Sequence, residues 1–122
     1  MVIGGYMLKT RSGKIISKNI RVCDTFWQKG TGLMFRSKNS VKDTAWLFTF
    51  SKPSRIGITM WFVFFPIDII FLDKNNKVVE LVRDLKPFSF YNPKVNICSF
   101  IEFKAGLIKD SGIIIGTKLR MK

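Results

Sequence analysis

The stretch "MWFVFFPIDIIFLD", Met60–Asp73, decides how this chain is read. It is almost wholly apolar and holds no basic residue, in a chain with 21 Lys and Arg against 8 Asp and Glu. A membrane span needs about 20 predominantly apolar residues. This run is broken by Pro66, carries Asp68 near its middle and stops at Asp73, so it is not a span. It reads instead as two strands. "ITMWFVFF" is aromatic and β-branched, and Pro66, which cannot donate to a ladder, ends it. "IDIIFLD" follows, then "KNN", then "KVVELVRDL". Asp73, Asn75 and Asn76 are turn formers, so Ile67–Leu72 and Lys77–Asp84 are expected to pair as a hairpin.

Working outward, the same signals recur. "AWLFTF" places Trp46, Phe48 and Phe50 on one face by period two. "KVNICSFIEF" places Val95, Ile97, Ser99, Ile101 and Phe103 on one face and turns Glu102 toward solvent. "GKIISKNIRVC" reads as strand around Ser17 to Asn19, and "TKLRM" as a last strand. Two short segments favour helix. One spans about 24–29, with Asp24 as N-cap and Gly30 as stop; the other spans about 105–111 and closes at Gly112. The expectation is one all-β domain over 1–122, a compact sandwich or barrel of short, mostly antiparallel strands with two short helices.

Composition excludes several chemistries. Without histidine the chain lacks the usual general base, so Ser-His-Asp and Cys-His catalysis are ruled out. Two cysteines, Cys23 and Cys98, make neither a zinc set nor a C-x-x-C pair. No catalytic residue, metal ligand or cofactor is assigned. "MVIGGYMLKT" has no basic region before its apolar residues and does not read as a signal peptide, which points to the cytoplasm.

The formal charge of +13 attracts polyanions such as nucleic acid or anionic membrane surfaces, or else it solubilises a dispersed surface. The eighteen residues 56–73 contribute two acids and no base, so the excess lies on either side of the central run.

Several segments together resemble one family. "GTGLMFR" (30–36) is similar to its R-G-L-M-F-R signature, and "AWLFTF" to its L-F-x-F strand. "MWFVFFPIDIIFLDKNNKVVEL" resembles its central M-W…P-L-D-x-x-F-x-D block. "LKPFSFYNP" and "FIEFKAG…SGIIIGTKL" resemble its closing segments. This is the family called domain of unknown function 192. The resemblance implies a β-sandwich-like domain with two small helices and brings no activity, substrate or cofactor. The chain departs from the family where Phe62-Val63 stand for a Lys-Asn pair, Thr31 for an Arg and Lys104 for a Pro.

The candidate residues divide into two sets. In period two, Met60, Phe62 and Phe64 share one face and Trp61, Val63 and Phe65 the other, both apolar. One face packs in the core. The other is covered by the chain itself, through "TFWQKGTGLMF", or left for a ligand or partner. Asp68, between apolar runs, needs hydrogen bonds or a cation from Arg36 or Arg55; otherwise it faces a ligand. Arg36, Arg55, Trp61 and Asp68 are thus candidates for a small-molecule or carbohydrate pocket, with weak hydrolysis as its extension. In "VRDLKPFSFYNPK", Phe90 and Tyr91 are placed to stack bases while Lys86 and Lys94 meet phosphates. The leading expectation is a non-enzymatic module for a polyanion such as single-stranded nucleic acid. The alternatives are that pocket and a protein–protein module using the second apolar face of Met60–Phe65.

Overall fold

The computed structural model of the protein describes residues 2–3, 7–23 and 44–121. Its strands are β1 (Val2–Ile3), β2 (Leu8–Thr10), β3 (Ile15–Ser17), β4 (Asn19–Cys23), β5 (Thr44–Ser54), β6 (Ile58–Thr59), β7 (Ile67–Leu72), β8 (Val78–Leu85), β9 (Phe90–Tyr91), β10 (Ile97–Lys104) and β11 (Leu119–Met121). One helix, α1 (Leu107–Ser111), is found among the described residues. The expected helix at 24–29, the covering segment "TFWQKGTGLMF" and Arg36 lie outside the described residues.

The β7–β8 hairpin forms as its turn residues require. The Asp73 carboxylate accepts the amides of Asn75 at 2.8 Å and Lys77 at 3.0 Å, and Asn76 takes the left-handed conformation (φ 59°) that asparagine tolerates. The hairpin is one side of a six-stranded sheet in the order β1-β4-β5-β10-β7-β8, in which only the β4–β5 pairing is parallel. A three-stranded sheet, β11-β2-β3, and a ribbon, β6-β9, complete the described architecture.

All six residues of β7 are buried, because both faces of the large sheet are covered. On one face Trp46, Phe48, Ile67, Ile69, Phe71 and Phe100 pack against Ile58, Met60, Val63 and Phe65. Phe48 and Phe100 stack at 4.6 Å, and each such side chain contributes roughly 1.5–3 kcal/mol by leaving water. On the other face Leu47, Ile70, Leu72, Val78 and Ile101 pack against Leu8, Ile108, Ile113 and Leu119 from the smaller sheet and the α1 region. The expected face of Trp46, Phe48 and Phe50 is the observed one.

Three local expectations are corrected. The strand expected around Ser17–Asn19 is two strands, broken at Lys18. Ile97 packs with Phe100 rather than with Ile101 and Phe103, because the ladder to β5 loses register between Ile97 and Ser99; Val95 lies before β10 and is exposed. Most consequentially, "ITMWFVFF" is strand only at Ile58–Thr59. At Met60 the chain turns: the Val63 amide donates to the Met60 carbonyl at 3.2 Å, and Phe62 is left-handed at φ 56°. Burial therefore falls on Met60, Val63 and Phe65, while Trp61, Phe62 and Phe64 are exposed.

Candidate functional site

Asp68 is 1% exposed, and its carboxylate is spent on the chain's own backbone. The β7–β8 ladder pairs Ile67 with Leu85 and Ile69 with Val82, so β8 carries one extra residue opposite Asp68. Such a bulge leaves an amide without a ladder partner. That amide belongs to Asp84, left-handed at φ 57°, and it donates to Asp68 Oδ1 at 2.9 Å. Asp68 Oδ2 accepts the amides of Gly106 at 3.1 Å and Ile108 at 2.9 Å, the donors that α1 leaves open at its start. No side chain of α1's own cap residue, Gly106, could do this. Asp68 thus satisfies three amides from two elements. Of the two arginines expected beside Asp68, Arg55 donates instead from Nε and Nη2 to the Pro93 carbonyl, both at 3.3 Å, and Arg36 lies outside the described residues.

The exposed aromatics gather on two facing turns. In Met60–Val63, Phe62 is the third residue. In Lys86–Ser89, closed by the Ser89 amide on the Lys86 carbonyl at 3.3 Å, Phe88 is the third residue, at φ 60°. Pro87 before it has the φ that the second position of a turn needs. The third position with positive φ normally takes Gly or Asn, and a bulky side chain there costs roughly 1–2 kcal/mol. Backbone hydrogen bonds from Phe88 N to Met60 O (2.9 Å) and Met60 N to Ser89 O (2.8 Å) lock the turns together. They extend the β6–β9 ribbon, where Ile58 pairs with Tyr91 and Thr59 with Phe90.

The result is a continuous aromatic surface. Phe88 meets Trp61 at 6.4 Å, Phe62 at 6.1 Å and Phe64 at 5.5 Å, all edge to face, and Trp61 and Phe62 lie 6.1 Å apart. Trp61 is 58% exposed. Phe90, exposed further along the ribbon, lies across Gly57, where a Cβ would come within 2.5 Å of its ring.

Cations flank this surface. Lys86 begins the second turn and pairs with Asp84; both are exposed, and this is the one ion pair among the described residues. Arg55 and the exposed Lys94 stand beyond Phe90, where the Lys94 amide donates to Glu80 Oε1 at 2.8 Å. Tyr91 turns inward. Its ring stacks on Phe71 at 5.8 Å and its hydroxyl donates to Glu80, so desolvation, reinforced by that carboxylate, pushes its pKa up to about 12. Of the residues expected to meet nucleic acid, Lys86, Phe90 and Lys94 keep exposed side chains and Tyr91 does not. Trp61 is exposed and meets Phe88 of the Lys86–Ser89 turn, whereas Asp68 is interior. Phe62 and Phe64 were read as one apolar face of Met60–Phe65, but Phe88 was missed, although "KPFS", a proline followed by an aromatic before serine, carried a turn signal.

Glu102 is not at the surface as expected. It lies on β10, a strand with neighbours on both sides, between Trp46 and Ile69, and is 6% exposed. Desolvation raises its pKa to about 8. Beyond Trp46 in the same row, the Arg21 guanidinium sits 4.5 Å over the indole ring.

Fold and surface define a small β-sheet protein that displays an aromatic, cation-flanked ribbon. The chain belongs to the DUF192 family, "Uncharacterized ACR", whose model matches residues 7–121. It is 34% identical over 115 residues to a UPF0127 protein of Pyrococcus furiosus, covering 93% of this chain and 95% of the relative. It is 33% identical over 103 residues to one of Pyrococcus horikoshii, covering 83% and 85%. Among solved structures it is similar to a Sinorhizobium meliloti protein named "putative transcription regulator" (TM-score 0.84, 22% identity, 95% of this chain and 91% of that one). It is also similar to a protein of unknown function from Novosphingobium aromaticivorans (TM-score 0.78, 21% identity, 94% and 82%). At these identities the structural likeness concerns the fold alone.

Proposed function

We propose that this protein is a non-enzymatic, cytoplasmic binding module that takes single-stranded nucleic acid along the aromatic ribbon. The observation that carries the reading is the continuous exposed surface of Trp61, Phe62, Phe64 and Phe88, leading to Phe90 and flanked by Lys86, Arg55 and Lys94. Bases stack on aromatic side chains without regard to sequence, and flanking cations neutralise the backbone. The single ion pair among the described residues supports it too, since most of the basic side chains there are not paired with carboxylates. The absence of a disulfide between Cys23 and Cys98 suits a reducing compartment.

A second reading, a protein–protein contact, is favoured by one feature. The rings meet edge to face, and residues 56–73 carry no base, so the centre of the surface is apolar. A pocket uniting Trp61 with Asp68 finds no such support, because both Asp68 oxygens are engaged by amides.

Titration of a labelled oligodeoxythymidine in a salt series tests the proposal. Binding should weaken steeply and log-linearly with salt as counterions are released. Absence of binding even at low salt removes nucleic acid as the ligand.

A further inference from the structure

The opposite end of β7 carries a second exposed apolar feature, built differently from the aromatic ribbon. Residues 114–117 form a tight turn. The Thr117 amide donates to the Ile114 carbonyl at 3.1 Å, the Ile114 amide donates to Thr117 Oγ1 at 3.1 Å, and Gly116 supplies the left-handed φ of 98°. Ile113 is buried and anchors the turn, while Ile114 and Ile115 stand 65% and 63% exposed at its tip. Aliphatic side chains this exposed, adjacent and on a rigid turn leave most of their surface uncovered by the described chain.

The turn is tied to the start of β8. The Val78 amide donates to the Thr117 carbonyl and the Gly116 amide to the Val78 carbonyl, both at 2.8 Å. The Leu119 amide donates to Asn76 O at 2.9 Å, and Lys77 bridges to Lys118. Lys74, Lys77 and Lys118, all exposed, therefore border the isoleucine tip. Asp73, the acid on the same turn as Lys74, is engaged in capping that turn. Apolar side chains bordered by lysines suit a surface that is apolar beneath and anionic above. A second copy of this chain would set the same lysines against each other.

We propose that the Ile114–Ile115 tip is a peripheral membrane-contact site. It inserts into the interface of an anionic lipid surface while Lys74, Lys77 and Lys118 meet the headgroups. Apolar burial and electrostatic attraction act together in such binding. No helix of the described residues is long and apolar enough to cross a membrane, so the contact is made from one side by a turn. The site lies at the far end of β7 from the aromatic ribbon, about 20 Å away at the rise of an extended strand. The two proposals therefore stand or fall separately.

Flotation of the whole protein with phosphatidylcholine vesicles, with and without phosphatidylglycerol, tests the site. The wild type should float only with phosphatidylglycerol. The exposed double substitution Ile114→Ser/Ile115→Ser should weaken that binding about tenfold or more at unchanged melting temperature, and Trp61→Ala should leave it intact. Three results would overturn the proposal: no flotation with anionic vesicles, unchanged binding of the double variant (the net charge acting alone), or loss with Trp61→Ala while the double variant binds.

Discussion

Phe62 and Phe88 occupy the same position of two facing turns, both left-handed, and their rings meet edge to face at 6.1 Å. Each pays a backbone cost of roughly 1–2 kcal/mol that glycine would avoid. Strain of this kind tends to collect where a surface is used. Phe88→Gly is therefore expected to leave the stability within about 1 kcal/mol of wild type, since relief of strain offsets the lost ring contacts, each worth roughly 0.5–1.5 kcal/mol. The same variant should lose affinity for an oligonucleotide. Thermal melts and binding assays on one preparation check both, and a large fall in melting temperature would show that Phe88 serves packing instead.

Asp68 joins the bulge of β8 to the start of α1 through three amides. Asp68→Ala leaves those donors unsatisfied in the interior, at about 1–3 kcal/mol for each that finds no water. Denaturant unfolding should show a loss of several kcal/mol with oligonucleotide binding by the remaining folded fraction unchanged. A stable variant that no longer binds would reassign Asp68 to a ligand.

Glu102 makes stability depend on pH. Its carboxyl titrates near pH 8 in the fold and near 4.5 when unfolded. Between these values the unfolded chain has lost a proton that the folded chain keeps. Its contribution to stability therefore falls as pH rises from about 4.5 and levels off above about 8. The steepest slope is on the order of 1.4 kcal/mol per pH unit. Glu102→Gln removes this term, so the variant's stability relative to wild type should grow across that window. Urea denaturation at a series of pH values measures it, and parallel curves for the two proteins would contradict the buried, neutral carboxyl.

How far the sequence was legible follows from which residues decide each feature. The β7–β8 hairpin was readable because Asp73, Asn75 and Asn76 act locally. The face of Trp46 and Phe48 was readable because β5 there is regular. The inward Asp68 was readable from its apolar neighbours, but its partners come from residues 84, 106 and 108, which no local pattern brings together. Alternation failed at Met60–Phe65 because a turn with phenylalanine in a left-handed position looks like strand in composition. It failed at Glu102 because only the topology shows that β10 has neighbours on both sides. The exposure of Lys86, Phe90 and Lys94 was legible from the mixing of bases and aromatics around them, whereas the inward turn of Tyr91 was not.

Cys23 is buried and Cys98 half-buried, and no disulfide joins them. Melting temperatures with and without reductant should coincide. A marked drop under reduction would reveal a disulfide and with it an oxidising compartment.

The aromatic ribbon as a stacking surface is tested most directly by the affinity of Trp61→Ala/Phe90→Ala for an oligodeoxythymidine at fixed low salt. Both side chains are exposed, so the fold should melt as the wild type does. Loss of stacking costs roughly 1–3 kcal/mol per base, so affinity should fall at least about tenfold, while the slope of affinity against salt, set by Lys86, Arg55, Lys94 and the other cations, stays the same. Unchanged affinity of the double variant would contradict the ribbon as the binding surface and leave charge alone to explain any binding.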